Sequence, residues 1–111
     1  MNANKIDILC NQVIDVALVT KEANDVINNV NLSQYPKRFV DRINSVVQYC
    51  YRMFMDANDN KLTDDRTNDL MINLMNTLVN YKNSYKSTTY GYRVMNSLLD
   101  IVKNTFVEFN S

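Results

Sequence analysis

The sequence predicts an all-α protein, an up-down-up-down four-helix bundle in which residues 1–111 form one domain. Turn residues are scarce, with one glycine and one proline in the chain, whereas β-hairpins depend on such residues. Apolar residues recur every three or four positions along four segments, which is typical of amphipathic helices. A chain of 111 residues is the size of a single domain. The helices are predicted at about 3–30, 35–56, 64–84 and 88–109.

The first predicted helix is the longest and has an apolar face in a nearly heptad repeat. We expect its inward residues to be Ile6, Leu9, Cys10, Val13, Val16, Ala17, Ala23, Ile27 and Val30. Acidic residues lie on the opposite side of this helix, at Asp7, Asp15, Glu22 and Asp25. The helix is predicted to end before residues 31–36, where Ser33 can cap the next helix and Pro36 fits its first turn.

The second and third helices are separated by the polar run 56–61. The buried face of the second helix is predicted as Phe39, Ile43, Val46, Val47, Cys50 and Phe54. For the third helix, Thr63 is the expected N-cap, and Asp64 and Asp65 suit the positive end of the helix dipole. Its inward residues are predicted as Leu70, Met71, Leu74, Leu78, Tyr81 and Tyr85.

The fourth helix is predicted to begin after Ser87 or Thr88, either of which can serve as its N-cap. Its inward residues are expected to be Val94, Leu98, Ile101, Val102, Thr105 and Phe109. Gly91 lies in its first turn, where glycine costs about 1 kcal/mol relative to alanine. The sequence therefore predicts a weakened start to this helix.

The charges sum to zero but are unevenly distributed. In an antiparallel bundle, the loop after the first helix and the loop after the third lie at the same end. Basic residues are expected to gather at that end, namely Lys37, Arg38, Arg42, Lys82, Lys86 and Arg93. The aspartates of residues 56–65, with Asp7 and Glu108, are expected at the other end. The sequence therefore predicts a charge dipole with a basic, tyrosine-rich pole.

A stripe of arginine and tyrosine follows one side of the second helix. Its members, Arg38, Arg42, Ser45, Tyr49 and Arg52, are spaced by four, three, four and three, so they return to the same side of a helix. Arginine and tyrosine are enriched in interface hot spots. The residues predicted to contact a partner protein or nucleic acid are Lys37, Arg38, Arg42, Tyr49, Arg52, Lys82, Lys86, Tyr92 and Arg93.

The tyrosines divide into two groups by their register. Tyr81, Tyr85 and Tyr90 continue the apolar stripes of their helices, so we expect them to pack in the core. Tyr49 and Tyr92 fall off those stripes and are the better candidates for binding. An alternative interpretation of the arginines is structural: they pair with the acids of the first helix or form a solvated face.

Enzymatic activity is not expected from this composition. The chain has no histidine, which removes the usual general base and the commonest metal ligand. With a single glycine, no glycine-rich phosphate loop can form. Cys10 and Cys50 are predicted as buried thiols, with a disulfide between the first two helices left open. No cofactor or metal is expected.

The segment 56–67 superficially resembles a calcium-binding EF-hand loop. Asp56, Asn58 and Asn60 occupy ligand positions one, three and five. Lys61 stands where the motif needs glycine, and Thr67 where it needs a bidentate glutamate. A polar interhelical loop is therefore the preferred interpretation.

The leading hypothesis is a non-enzymatic protein-interaction module, of adaptor or inhibitor type, that binds a partner through the basic and tyrosine-bearing helix face and that can also form a homodimer. The alternative is a nucleic-acid-binding protein whose basic pole contacts phosphates. A third hypothesis is a self-assembling structural subunit. The asparagine-rich composition is associated with AT-rich viral, phage or low-GC bacterial genomes. Without a secretory or membrane segment, a cytoplasmic location is expected, or the host cytoplasm or nucleus for a viral protein.

Overall fold

The computed structural model describes residues 1–30 and 34–111, and these residues form a four-helix bundle. The helices are α1 (Ala3–Asn29), α2 (Lys37–Asn58), α3 (Asp64–Asn83) and α4 (Tyr90–Phe109). The described residues contain no β-strand. The predicted all-α four-helix class is therefore confirmed, and every helix boundary falls within two residues of its predicted position.

Each helix packs mainly against two others. α1 contacts α2 and α4, α3 packs extensively on α4, and the contact between α2 and α3 is the smallest of the four. Hydrogen bonds join Asn24 to Asn44 and Gln12 to Cys50. Because the later residue of α1 pairs with the earlier residue of α2, the two helices run antiparallel. This order is the one expected of an up-down-up-down bundle.

Three of the helices begin with a side-chain cap. Asn2, Thr63 and Thr89 each accept a hydrogen bond from the backbone N–H three residues later, at 2.9, 3.1 and 3.2 Å. The prediction for Thr63 is confirmed, whereas the prediction of Ser87 or Thr88 is wrong, because the chain turns one residue later. Ser33 lies outside the described residues. Pro36 directly precedes the first residue of α2 rather than lying in its first turn, and it provides no side-chain cap.

The turn between α2 and α3 is shorter than the sequence predicts. Asp56 and Asn58 still belong to α2, and Asn60 adopts a left-handed conformation with φ of 59°. The N–H of Lys61 donates to the carbonyl of Asp56 at 2.8 Å, and that of Asn60 to Ala57 at 3.2 Å. This pair of bonds is a Schellman motif, which satisfies the last carbonyls of a helix. The EF-hand-like spacing therefore falls across a helix end.

The core divides into two clusters along the bundle. The larger one lies towards the α1–α2 and α3–α4 connections and includes Ile27, Phe39, Ile43, Leu78 and Leu98. The smaller one lies at the end that holds the two chain termini and consists of Ile8, Leu9, Met53, Ala57, Met71 and Phe109. Most predicted inward residues are buried or half-buried. Val30 is the exception, with 59% of its surface exposed, because it lies just beyond the last turn of α1.

Two polar side chains of α1 occupy core positions that the apolar pattern did not indicate. Thr20 donates to the carbonyl of Ile43 at 3.4 Å, and the Gln12 amide donates to the Cys50 sulfur at 3.2 Å. Both cysteines are free thiols; Cys50 is buried and Cys10 half-buried. Burial raises the pKa of Cys50 to about 12, so this thiol stays protonated and unreactive at neutral pH.

Candidate basic face on helix α2

The arginine and tyrosine stripe of α2 reaches the groove between α2 and α3 at Arg42 and Tyr49. Tyr49 lies on the edge of this groove, where its hydroxyl donates to the carbonyl of Leu70 at 3.0 Å and its ring packs on the larger core cluster. Burial raises the pKa of Tyr49, and the charge of Arg66 partly offsets that rise. The expectation that Tyr49 lies away from the core is therefore wrong, because α3 covers the side of α2 on which it stands.

Arg42 is held in place by neutral partners from α3 and the segment that follows it. One terminal nitrogen of its guanidinium donates to the hydroxyls of Ser84 at 3.0 Å and Tyr85 at 3.1 Å. The guanidinium carbon lies 4.5 Å from the centre of the Tyr81 ring and 5.7 Å from that of Tyr85. These distances are within the range of cation–π attraction. Arg42 therefore connects α2 to the end of α3 while keeping its charge.

A cluster of aromatic side chains packs beneath the Arg42 contacts, on the core side. Phe39 is fully buried, and its ring centre lies 4.9 Å from that of Tyr35 and 5.8 Å from that of Tyr85. Tyr90 contacts Tyr35 edge-on at 6.0 Å. Tyr81, Tyr85 and Tyr90 all pack against the larger core cluster, as their register predicts. The α3–α4 connection is thus fixed on the N-terminal end of α2.

Gly91 has a packing role in this cluster that the sequence did not indicate. A β-carbon at this position would lie 3.0 Å from the nearest carbon of the Tyr85 ring. The Gly91 N–H also donates to the Tyr35 hydroxyl at 3.1 Å. Glycine therefore fits this position because its missing side chain leaves room for the Tyr85 ring, which approaches the backbone closely.

The remaining predicted binding residues are mostly on the surface. Arg52 and Arg38 are exposed on the stripe itself. The others near the basic end are Lys37, Lys86 and Arg93, which are exposed, and Lys82 and Tyr92, which are half-buried. The Lys82 ammonium lies 5.7 Å from the Tyr92 ring centre. The structure therefore brings most of these cations near the two connections, while Arg52 lies farther along α2.

None of the arginines forms an ion pair within residues 1–30 and 34–111. The ion pairs of this part of the chain are Lys5–Asp64 at 2.7 Å and Lys21–Asp25 at 3.0 Å. The interpretation that the arginines pair with acids of α1 is therefore wrong for these residues. Their positive charge is left for solvent or for a partner.

The basic end is less uniform than the charge pattern predicts. Glu22 of α1 lines a groove with Tyr90 and Arg93 of α4. The pKa of Tyr90 is raised, first by burial and then by the negative charge of Glu22. The second half of α1 therefore brings acid to this end, and the positive charge is concentrated on the α2–α3 side.

Sequence patterns did not identify Ser84, Tyr85 and Arg66 as neighbours of the stripe. Arg66 lies one turn before Leu70, and its charge reaches the Tyr49 hydroxyl. These neighbours could have been found only from the antiparallel order of α2 and α3, which brings the helical turn after Tyr49 beside the turn before Leu70. That signal requires the relative register of two helices, which hydrophobic periodicity alone does not provide.

The fold and this site define a four-helix bundle with an arginine-bearing face on α2. No protein-family model, no curated protein sequence and no solved structure matches the chain. Across residues 1–30 and 34–111, no helix is both long and apolar enough to cross a membrane. In the same residues, no three cysteine, aspartate or glutamate side chains form a group that could hold a metal ion.

Proposed function

We propose that this protein is a non-enzymatic binding module that recognises an acidic segment of a partner protein through the face of α2 bearing Arg38, Arg42 and Arg52. The observation that carries the proposal is the lack of any carboxylate within ion-pairing distance of these arginines in the described part of the chain. Arginine forms paired hydrogen bonds with carboxylates and is enriched at interface hot spots. An acidic partner segment would supply the missing counter-charges.

The tyrosine contacts favour a protein partner over a nucleic acid. Single-stranded nucleic acids are bound by stacking bases on accessible aromatic rings. Along the stripe, the Tyr49 hydroxyl is bonded to α3, and Arg42 lies against the rings of Tyr81 and Tyr85. The chain also has zero net charge, whereas nucleic-acid-binding domains are usually strongly basic.

A second copy of the chain is one partner that would satisfy the same chemistry. On the outer face of α1, Ile14 and Leu18 stand one turn apart and expose 50% and 60% of their surface. Asp7 and Asp25 lie on the same face by helical register. Pairing two such faces antiparallel about Ile14 and Leu18 would bring Asp7 near Asp25 of the other copy, whose charge Lys21 already offsets, so this pairing would leave the arginines without counter-charges. Contact between the α1 face of one copy and the arginines of another is electrostatically favoured.

The proposal is tested with two variants and three probes. The double substitution Arg38→Ala and Arg52→Ala removes the two exposed arginines of the stripe, and Arg93→Ala with Lys103→Ala removes the same charge from α4. The probes are a labelled acidic amphipathic peptide, labelled single- and double-stranded oligonucleotides, and the protein itself in sedimentation equilibrium. Peptide binding or self-association that is lost in the α2 variant and kept in the α4 variant is the expected result.

Oligonucleotide binding in the micromolar range that weakens steeply with salt would instead support the nucleic-acid alternative. An equal loss in both variants would contradict the assignment to α2, because it would show a response to total charge alone. Circular dichroism and thermal unfolding of both variants provide the folding control.

A further inference from the structure

A small pocket opens between the start of α2 and the α3–α4 connection. Its volume is about 160 Å³, more than ten times the roughly 10–15 Å³ that one water molecule needs. The pocket is lined by Pro36, Arg38, Phe39, Arg42, Ser84 and Tyr85. Most of its lining surface is apolar, but two arginines, a serine and a tyrosine stand around it and no acidic residue does. Arginine together with hydroxyl side chains is a set that can bind an oxyanion.

The guanidinium of Arg42 is already fixed in this pocket. Its hydrogen bonds to described residues all come from one terminal nitrogen, which donates to Ser84 and Tyr85. One side of the group also lies near the Tyr81 ring. The Nε–H and the second terminal nitrogen can therefore form the two parallel bonds that arginine makes with phosphate or carboxylate. Because Arg42 is held beforehand, little side-chain entropy would be lost on binding.

The hydroxyl groups have a defined direction of hydrogen bonding. The Ser84 hydroxyl accepts from Arg42 and donates to the carbonyl of Tyr81 at 2.6 Å. The Tyr85 hydroxyl accepts from Arg42 and donates to no acceptor among the described residues. The pocket therefore offers a third donor, the Tyr85 hydroxyl hydrogen, beside the two guanidinium groups.

The surrounding charge is positive. Residues 70–99, which supply Ser84 and Tyr85, contain no acidic residue. Asp41 follows Arg38 on α2, but it is exposed and does not line the pocket. Lys86 is exposed in the same connection as Tyr85. An anion entering the pocket would therefore meet several cations and no lining carboxylate.

We propose that this pocket binds a phosphoryl group, with Arg38 and Arg42 contacting its oxygens and the Tyr85 hydroxyl donating a further hydrogen bond. Two guanidinium groups match the charge of a phosphate monoester, which carries between 1.5 and 2 negative charges near neutral pH. A carboxylate has one charge and two oxygens, so it would leave part of this donor set unused. The source of the group, a phosphorylated segment of the acidic partner, rests on the proposed function.

The pocket is tested first with inorganic phosphate, followed by amide chemical shifts in ¹⁵N-labelled protein at constant ionic strength. Saturable shifts confined to residues 37–42 and 84–86 are expected, with acetate giving much smaller ones. Arg38→Gln should weaken phosphate binding about tenfold, since it removes one charge-assisted contact. Lys103→Gln removes the same charge from α4, outside both the pocket and the binding face of α2, and should leave phosphate binding unchanged.

Arg42→Lys keeps the charge but loses the paired donors, so it should also weaken phosphate binding without unfolding the protein. Shifts that are unsaturable, equally large with acetate, or equally sensitive to Lys103→Gln and Arg38→Gln would overturn the proposal. Unchanged binding by Arg42→Lys would also overturn it, because a point charge would then suffice.

A second arm identifies the source of the phosphoryl group. A phosphoserine peptide with acidic flanking residues should bind more tightly than inorganic phosphate, and its unphosphorylated form should bind more weakly. A phosphopeptide no tighter than inorganic phosphate would overturn the assignment to a partner segment and indicate a free phosphate ligand. Failure of the unphosphorylated acidic peptide to bind α2 counts against the proposed function alone, since the phosphate titration reports on the pocket separately.

Discussion

Lys5 and Arg42 are cations that connect helices at opposite ends of the bundle, and their surroundings differ in one respect. Lys5 lies 4.8 Å from the Phe109 ring centre and forms an ion pair with Asp64 at 2.7 Å. Arg42 also lies over an aromatic ring, at 4.5 Å from Tyr81, but its hydrogen bonds go to neutral hydroxyls. The charge of Lys5, at the end that holds the chain termini, is neutralised by a carboxylate of the protein. The charge of Arg42, at the opposite end, has no such partner among the described residues.

The comparison separates a structural cation from one that can also bind a ligand. A cation–aromatic contact by itself stabilises packing and does not neutralise charge. A carboxylate partner removes most of the attraction for an outside anion, whereas hydroxyl partners orient the guanidinium and leave its field intact. We therefore expect anions to collect around Arg42 and not around Lys5.

The largest effect is expected from the buried phenylalanines beneath each cation. Phe39 and Phe109 are both fully buried, so replacement of either by alanine should lower the free energy of unfolding by about 3–5 kcal/mol. Only Phe39→Ala should shift the amide signals of Ser84 and Tyr85, because Phe39 contacts the Tyr85 ring. Urea unfolding and amide spectra measure the two effects. Similar shifts at Ser84 from Phe109→Ala would mean that the two ends are not independent.

A smaller effect is expected when the cations are replaced by methionine, which keeps an unbranched apolar stem and removes the charge. Arg42→Met loses two hydrogen bonds and a cation–π contact, so it should lower the free energy of unfolding by about 1–3 kcal/mol. Lys5→Met should cost less, since the exposed Asp64 carboxylate returns to water. Unfolding at low and high salt checks this, because salt should reduce only the contribution of Lys5. A salt-dependent contribution from Arg42 would contradict the comparison.

Gly91→Ala should destabilise the protein by about 1 kcal/mol in total. Crowding of the Tyr85 ring costs roughly 1–3 kcal/mol, and the higher helix propensity of alanine returns about 1 kcal/mol. In a Tyr85→Ala background the same substitution should become stabilising, because the ring 3.0 Å from the new β-carbon is gone. A double-mutant cycle by urea unfolding measures this coupling. Additive effects would show that the ring can move aside at little cost.

The smallest effect is a dependence of stability on acid pH at the Lys5 end. The hydrogen bond from Lys5 lowers the pKa of Asp64 below its ordinary value of 3.8. The stabilisation is therefore present above that value and is lost as the pH falls through the lower folded-state pKa. Asp64→Asn should remove this component from the urea midpoint measured between about pH 7 and about pH 3. An unchanged acid dependence in Asp64→Asn would assign it to other carboxylates.

Local chemistry predicted the fold well where one residue acts on its near neighbours. Thr63 caps α3 as expected because its side chain reaches the N–H of Arg66. The choice among the hydroxyl residues 87–89 could not be made in this way, because all three can cap a helix. The cap is Thr89, and the start of α4 that it precedes is bonded to Tyr35 through the Gly91 N–H, across 56 positions.

The candidate site was predictable only in part. The spacing of Arg38, Arg42 and Arg52 predicts a common side of the helix, and the structure places all three on α2. The same spacing could not reveal that Tyr49 is bonded to α3 or that Ser84 meets Arg42. It also missed Glu22, whose position at the basic end follows from the path of α1 and not from any local pattern.

By itself, the sequence determined four amphipathic helices and an arginine stripe along one side of α2. Both depend on the 3.6-residue period of the helix, which acts between residues three or four positions apart. Only the tertiary structure decided that Arg42 meets hydroxyls and Lys5 a carboxylate. Arg42 and Ser84 are separated by 42 positions in the sequence, and Lys5 and Asp64 by 59. Both contacts therefore depend on how the helices pack against one another. The packing of the helices therefore decides which of the two charges is neutralised and which is available to a ligand.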